Sequence, residues 1–439
     1  VIWRPESIVP DLKSYPTPGF LYKIQPGDTM TKIGLRAGIP WQQIWTANPS
    51  IIQISNNPDL IYPAQTIFIP GGAPEPPKTN PAENADPNSY KFILDGLEVP
   101  ISTFRLQRSL DSIFDSWTAE IAWLPGDNKD LDKRTAAYVY PPASLYLGRY
   151  LVASGRLYDV TPKVSDSGIS KTLECFTATV DLVDSKMPPD YAMEWQGATL
   201  GTITKDILQK IGYQYKLNYE PKAPYDYAIM EKLQSPAAFL IKLAAERSIL
   251  VTNDETGAVV LMQPNVNAKP VGTLEQADIS AGAKSQGATE WSIKFAGRER
   301  FHNYVVIGQG GDATDTISKA TDSNVPAIRT MAYESDYLDP NNTKDTAAWR
   351  RSLQVAKSMT FPVPVVGWYC PTGEPWAPGM LVTIKSSVLN IPNGYVFCIR
   401  NTEHVLDERG MTCTLGVCPP AALTRGIVDE PWASAGGKA

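Results

Sequence analysis

Enzyme chemistry needs nucleophiles, acid–base pairs or metal ligands in workable spacing, and this sequence offers few of them. Its 439 residues include only two histidines, His302 and His404, which stand far apart in the chain. That separation excludes HExxH and every other zinc motif carrying two histidines on one element. The five cysteines, Cys175, Cys370, Cys398, Cys413 and Cys418, are odd in number and form no CxxC pair. They encode neither a disulfide framework nor a zinc ribbon and read as reduced thiols of a protein made inside a cell. Cys398, Cys413 and Cys418 lie in alternating strand patterns, where cysteine serves as a small buried hydrophobe, so they and His404 are assigned to packing rather than to a metal. Asp127, Asp130 and Asp132, mixed with Lys129, Lys133 and Arg134, lack the EF-hand spacing and its terminal Glu; a solvated loop is expected there. Gly308-Gln309-Gly310-Gly311 follows a strand without the Rossmann spacing and reads as a turn between strands. There is no Gly-x-Ser-x-Gly elbow and no Walker loop, and nothing singles out a catalytic pair among the 46 acidic residues. The residue inventory therefore assigns no catalytic residue, no cofactor and no metal.

The elements that would hold any site are mostly strands. Thirty-eight prolines and 20 tyrosines favour strands, turns and linkers over long helices, and 43% apolar content suits globular folding. At about 150 residues per domain the length suggests roughly three domains. Forty Lys and Arg against 46 Asp and Glu leave a formal charge of −6, with no basic surplus for a nucleic-acid groove, so specific nucleic-acid binding is not expected. Residues 1–20 carry Arg4, Glu6, Asp11 and Lys13 among their prolines and lack a signal-peptide core, and no run of 18 apolar residues suggests a transmembrane segment.

Residues 71–89, GGAPEPPKTNPAENADPNS, cannot bury a core and divide a small module from a large one. In the small module the expected order is a strand at 20–24, a turn at Pro26-Gly27-Asp28, helices over 29–37 and 40–47, and a closing strand at 66–69. The large module opens with strands at 90–94 and 117–123, divided by turns such as Asp95-Gly96, and continues with strands at 150–159 and 172–183. Leu200, Ile203, Ile207, Leu208 and Ile211 fall on one helical face. Ser235-Pro236 starts a second helix with Phe239, Leu240, Leu243 and Ala244 inward, ending near Arg247, and a hairpin follows over 249–262. A second β-rich region is expected at 291–295, 303–308, 364–368, 381–386, 395–403 and 411–417, interrupted by a helix at 343–359, and residues 421–439 read as a loose end.

The small module resembles a LysM domain. Tyr22, Gly27-Asp28-Thr29, Ile33, Asn48-Pro49, Ile61, Pro63-Ala64-Gln65 and Ile67-Phe68-Ile69-Pro70 carry the likeness, with Ala64 where the family usually has Gly. LysM domains commonly bind N-acetylglucosamine polymers, and the resemblance would form the groove from Asp28, Thr29 and Met30 facing Pro58, Asp59, Leu60 and Ile61. The preferred reading is that the same residues are turn and core positions of a LysM that contacts protein.

Two stretches of the large module resemble phage late-control and baseplate-hub proteins of the Mu-like group. One is SPAAFLIKLAAERSILVTNDETGAVVLM; the other runs through Gly367-Trp368, Trp376-Ala377-Pro378-Gly379-Met380-Leu381-Val382, Asp407-Glu408-Arg409-Gly410 and Pro419-Pro420-Ala421. The implied fold is α+β and mainly β: a βααβ LysM domain joined to a hub module of two tube-like β-barrels with a helical insert. The expected division is an N-terminal extension at 1–19, LysM at 20–71, a linker at 72–89, a first barrel at 90–195, an α+β insert at 196–264, a second barrel at 265–425 and a tail at 426–439. The resemblance implies a non-enzymatic structural protein of a contractile tail or related injection machine, assembled in the host cytoplasm into the virion baseplate. Its implied partners are two further copies in a homotrimer, the central spike, the tail tube or tube initiator, and sheath or wedge proteins reached through the LysM. The alternatives are a LysM-targeted peptidoglycan hydrolase and a non-catalytic wall-binding protein.

Overall fold

A computed structural model describes residues 20–24, 29–37, 41–48, 66–69, 89–166, 168–187, 193–218, 222–276, 291–308, 316–335, 343–387, 391–424, 428 and 430. The chain forms two compact units, Val1–Ala85 and Asp86–Ala439.

In the first unit, strand β1 (Phe20–Lys23) pairs antiparallel with β2 (Thr66–Ile69), and helices α1 (Met30–Ala37) and α2 (Trp41–Thr46) lie between them in sequence. Its core is a compact set of aliphatic side chains: Ile24, Met30, Ile33, Ile44, Ile67 and Ile69, with Trp41 and Trp45 packed against them. Met30 and Ile33 stand one helical turn apart, which puts both on the face that meets the strands. Buried Asn48 closes α2 by donating its amide to the Ile44 carbonyl at 2.6 Å.

The second unit opens with strands β3 (Tyr90–Leu94), β4 (Leu97–Val99), β5 (Thr103–Ser109) and β6 (Ser116–Ala122). Asp95 and Gly96 both take positive φ, 47° and 76°, the backbone of a two-residue hairpin turn. Helix α3 (Lys129–Arg134) follows where a solvated loop was expected. Asn128 caps it, its side chain accepting from the Asp130 and Leu131 amides, while Asp132 accepts from Trp123 Nε1 at 2.6 Å and Leu131 is buried. The cluster thus lies at the start of a short helix: Asp127 and Asp130 stay exposed to solvent, and Asp132 is tied to Trp123 and the Gly126 amide.

Next come β7 (Pro142–Leu147), β8 (Tyr150–Ser165) and β9 (Gly168–Thr177). The strand expected to reach residue 183 stops at Thr177, whose amide and hydroxyl both bond the Asp115 backbone. The chain then turns through a 3-10 segment into α4 (Asp181–Asp184).

The insert contains β10 (Glu194–Ala198), α5 (Leu200–Lys210), β11 (Tyr215–Leu217), β12 (Tyr225–Ile229), α6 (Pro236–Glu246), β13 (Leu250–Asn253) and β14 (Val259–Met262). Thr199 and Ser235 cap the two helices, accepting from the Thr202 and Ala238 amides. The α6 side chains Phe239, Leu240 and Leu243 are fully buried. Burying each stabilises the fold by roughly 1.5–3 kcal/mol, which is what holds this apolar helix in place.

The remainder supplies β15 (Thr273–Glu275), β16 (Lys294–Phe295), β17 (Asn303–Gly308), β18 (Thr316–Thr321), β19 (Thr330–Ser335), α7 (Thr343–Ser358), β20 (Met359–Val366), β21 (Leu381–Ser386), β22 (Ile391–Asp407) and β23 (Gly410–Cys418). Strand β20 begins directly after α7, earlier than its alternation suggested, and β16 keeps only two of the five residues expected. The C-terminal segment is also tied down further than composition implied. Ala422 and Leu423 are in the core, and Glu430 forms an ion pair with Arg300 at 2.9 Å.

Two separate tube-like barrels were expected; the described strands instead form one 13-stranded sheet. Its order is β16-β20-β23-β22-β5-β6-β9-β8-β7-β3-β4, with β21 on the first part of β22 and β15 on β21. No pairing among the described residues closes either half. The physical reason lies in β22, whose 17 residues exceed what one partner can cover. It pairs with β21 at its start, with β23 from Cys398 onward and with β5 from Asn401 to Leu406. Two cores lie along this sheet, one around Phe92, Trp117 and Trp368 and the other around Phe361, Val363 and Phe397.

Candidate functional site

Of the seven residues proposed for the LysM groove, Asp28, Pro58, Asp59, Leu60 and Ile61 lie outside the described residues. Thr29 is half-buried and its carbonyl accepts the Ile33 amide at 2.9 Å, the first turn of α1. Met30 is 1% exposed and belongs to the domain core.

The residues that could carry chemistry are dispersed by the sheet. Cys398 faces Cys418 and His404 faces Cys413 across β22 and β23. The two pairs stand six residues apart along one strand, roughly 20 Å, too far to share an ion. All five cysteines are free and buried. Burial pushes the Cys398 thiol up to about 12 and raises those of Cys175, Cys413 and Cys418 as well, so they stay protonated and unreactive at neutral pH. His404 is fully buried between Leu106 and Cys413, and burial, aided by the positive charge of Arg108, lowers its pKa to about 3. It is a neutral core side chain with no route to a substrate. His302 holds a loop through Nδ1 and the Val325 carbonyl at 2.7 Å. Gly308, ahead of the glycine run, pairs with Thr316 at the end of a β17–β18 ladder.

What the sequence did not reveal is the seam where the two halves of the sheet meet. There β5 and β22 are joined by polar side chains as well as by their ladder. Arg105 and Gln107 both bond Glu403 Oε1, at 2.8 and 3.0 Å. Arg400 forms an ion pair with Asp111. The β-bulge between Ile399 and Asn401 turns Arg400 toward that partner. Asn401 then folds over Gly416, where an added Cβ would come within 1.8 Å of its side-chain oxygen.

Deeper in the seam, Arg108 meets Asp115 at 3.2 Å with both side chains largely withdrawn from solvent, at 12% and 3% exposure. Asn253 from the insert donates to the same carboxylate at 3.0 Å, so the first half and the insert converge on one buried charge. Burial pushes the Asp115 carboxyl above its usual range, and Arg108 and Asn253 work against that rise. Beside the seam opens a cleft of about 630 Å3 lined by Arg108, Asp111, Phe114, Thr360, Arg400 and Glu403. Every one of its charged side chains has a partner already in place. This arrangement fastens sheet halves together; it does not poise an acid or a base. Among the described residues no group of three His, Cys, Asp or Glu is gathered for a metal, and no helix is long and apolar enough to cross a membrane.

The comparisons fit this architecture. Residues 339–425, which include α7 and strands β20 to β23, match the fourth domain of the Mu phage baseplate assembly protein GpP, and residues 22–70 match the LysM domain. Baseplate hub protein gp44 of Escherichia phage Mu is 22% identical over 292 residues, covering 63% of this chain and 74% of that protein. The chain is thus similar to the Mu-like phage baseplate hub proteins and carries an N-terminal LysM domain. A similar fold is found in two solved tail proteins. The 43 kDa tail protein of prophage MuSo2 from Shewanella oneidensis superposes with a TM-score of 0.64 at 21% identity, over 76% of this chain and 99% of that chain. The tail protein from Neisseria meningitidis MC58 gives 0.63 at 15% identity, over 75% of this chain and 96% of that chain.

Proposed function

We propose that this protein is a structural, non-enzymatic hub of a contractile phage tail or related injection machine, joining the tail tube or its initiator to the central spike. The observation that carries the reading is the continuous sheet, whose halves are fastened where Arg105 and Gln107 meet Glu403 and Arg400 meets Asp111, and whose first half is tied to the insert through Asn253 at the buried Arg108–Asp115 pair. A part that transmits load between a tube above and a spike below needs such a stiff cross-connection, whereas a hydrolase needs unpaired acid–base groups facing a cleft. On this reading residues 90–195 and 265–425 are the two tube-forming domains, 196–264 the insert between them, and the working assembly is a homotrimer in the virion baseplate, built in the host cytoplasm. Residues 20–71 dock the hub to sheath or wedge proteins, with residues 72–89 as a tether.

The test is incorporation. Deleting residues 1–71 leaves a folded second unit, since the core clusters of that unit draw only on its own residues. Tails made with the truncated protein fail to complete baseplates. Tight binding of residues 20–71 to chitin oligomers, lost on Asp28→Ala while assembly proceeds unchanged, overturns the docking role. Clearing of peptidoglycan in a zymogram, abolished by one carboxylate substitution, overturns the non-enzymatic reading.

A further inference from the structure

Strand β22 begins irregularly. Ser386 on β21 pairs with Ile391 and Ile384 pairs with Tyr395, so the single residue Lys385 faces three, Pro392, Asn393 and Gly394. The surplus residues form a β-bulge and hold no place in the register with β21. Within it stands the only Asn-Gly dipeptide of the 439 residues. Its asparagine is exposed.

The backbone requires glycine at the second position. Gly394 holds φ at 85°, in the left-handed region. An added Cβ there would also come within 3.0 Å of Lys385 Cγ and 3.1 Å of Thr383 Cγ2, with Lys385 Cε 3.5 Å away. Gly394 therefore lies beneath the Lys385 stem.

The Gly394 amide nitrogen stands outside the ladder as well. Further along β22, the Ile399 amide donates to the Met380 carbonyl at 2.8 Å and the Ile399 carbonyl accepts from the Gly379 amide at 2.7 Å. Ile399 thus turns its backbone groups toward the chain that leads into β21. Backbone groups alternate in direction along a strand, which aims Phe397 and Tyr395 the same way and Gly394 the opposite way. On that opposite flank β22 pairs with β23, and only from Cys398 onward. Among the described strands none reaches Gly394 there. An amide nitrogen without a strand partner, an exposed side-chain amide one residue before it and no Cβ to hinder approach are the parts of an intramolecular reaction.

We propose that Asn393 is a self-modification site, where the chain converts its own asparagine to aspartate and isoaspartate with water as the co-reactant. The Gly394 nitrogen, its proton lost to hydroxide, forms a bond to Asn393 Cγ. The Cγ–Nδ2 bond breaks, and Nδ2 takes a proton from water and leaves as ammonia, so a five-membered succinimide remains. Water then opens the ring. Cleavage between the nitrogen and Cγ leaves aspartate; cleavage between the nitrogen and the Asn393 main-chain carbonyl carbon routes the main chain through the side chain as isoaspartate. Nothing is oxidised or reduced. The attacking nitrogen must first become an anion, and the Lys385 ammonium, one bond beyond Cε, favours that form by its charge. Either product makes the formal charge of −6 one unit more negative. Isoaspartate also lengthens the main chain, at a bulge whose residues hold no register with β21. The inference is independent of the hub reading.

Incubation of the full chain at pH 8, followed by peptide mass mapping, tests it. A gain of about 1 Da is expected at Asn393, with one ammonia released per converted chain and a more acidic form on anion exchange. The rate in native protein should stay within about tenfold of that in a free peptide of residues 391–396, a protection of at most ~1.4 kcal/mol. It should rise with pH. Asn393→Gln should abolish the gain at that position and leave thermal melting unchanged, since the side chain is exposed. Lys385→Met should slow conversion in the folded protein and leave it unchanged in denaturant. Asn393 that stays intact in native protein while the free peptide converts overturns the inference. Conversion no faster than labelling of the five buried thiols, which reports unfolding, overturns it too. A folded Lys385→Met variant that converts as fast as wild type overturns the part given to the lysine.

Discussion

Arg108→Met isolates the buried charge at the seam, because methionine keeps much of the arginine stem's packing while deleting the guanidinium. In the native protein that group stands 3.2 Å from Asp115, and neither side chain is more than 12% exposed. Removing one partner of a buried pair typically costs about 3–5 kcal/mol, because the other charge is left without compensation. Asp115 keeps donors from Asn253 and the Ser109 backbone, which places the expected loss near the lower end, roughly 3 kcal/mol. The pH dependence follows from the direction of the shift. Burial already raises the Asp115 carboxyl above its ordinary 3.8. Without Arg108 it rises further, so the folded variant binds this proton more tightly than the unfolded chain does. Its penalty is then full above the folded-state pKa and fades as the pH falls through that value toward 3.8. Urea unfolding of wild type and variant, followed by far-ultraviolet circular dichroism at pH 7.5 and again at pH 5, reads the difference. Adding Asp115→Asn to the variant should recover more than half of the loss at pH 7.5, since no unpaired charge remains. A deficit under about 1 kcal/mol at pH 7.5, a deficit that grows on acidification, or a double variant worse than the single would refute the reasoning.

Gly155→Ala is expected to be among the most damaging single changes on β8, since an added Cβ would fall 1.9 Å from the Phe176 carbonyl oxygen on β9. Backbone cannot swing aside as a side-chain end can, so the ladder must part locally; thermal melting should show a loss larger than that of Gly96→Ala, where the same atom meets nothing within 4 Å. The thiols offer a third check. With all five buried and Cys398 pushed up to about 12, a thiol reagent at pH 8 should label the native protein only at its unfolding rate, and all five sites at once in denaturant. Rapid labelling of one cysteine in native protein would show an opening absent from this fold.

The sequence alone determined the pieces whose causes are local. The Ser235 cap and the proline at the first turn start α6, the Asp95-Gly96 turn reverses β3 into β4, and alternation marks β6 and β21, because each signal is complete within a few residues. Family likeness in short motifs carried the hub and LysM assignments further than periodicity could. Tertiary structure decided how the β regions join. Arg105 and Glu403 are 298 residues apart in the chain, and no window along it could foretell that β5 lies beside β22 or that a bulge at residue 400 aims an arginine at Asp111. The same holds in part for α3, whose Asn128 cap is local but whose Asp132 gains a tryptophan partner only because Trp123, just after β6, lies alongside. Pairing between distant strands is a choice among many registers of similar local quality, and it is settled by which arrangement buries the two cores and leaves each buried charge a partner.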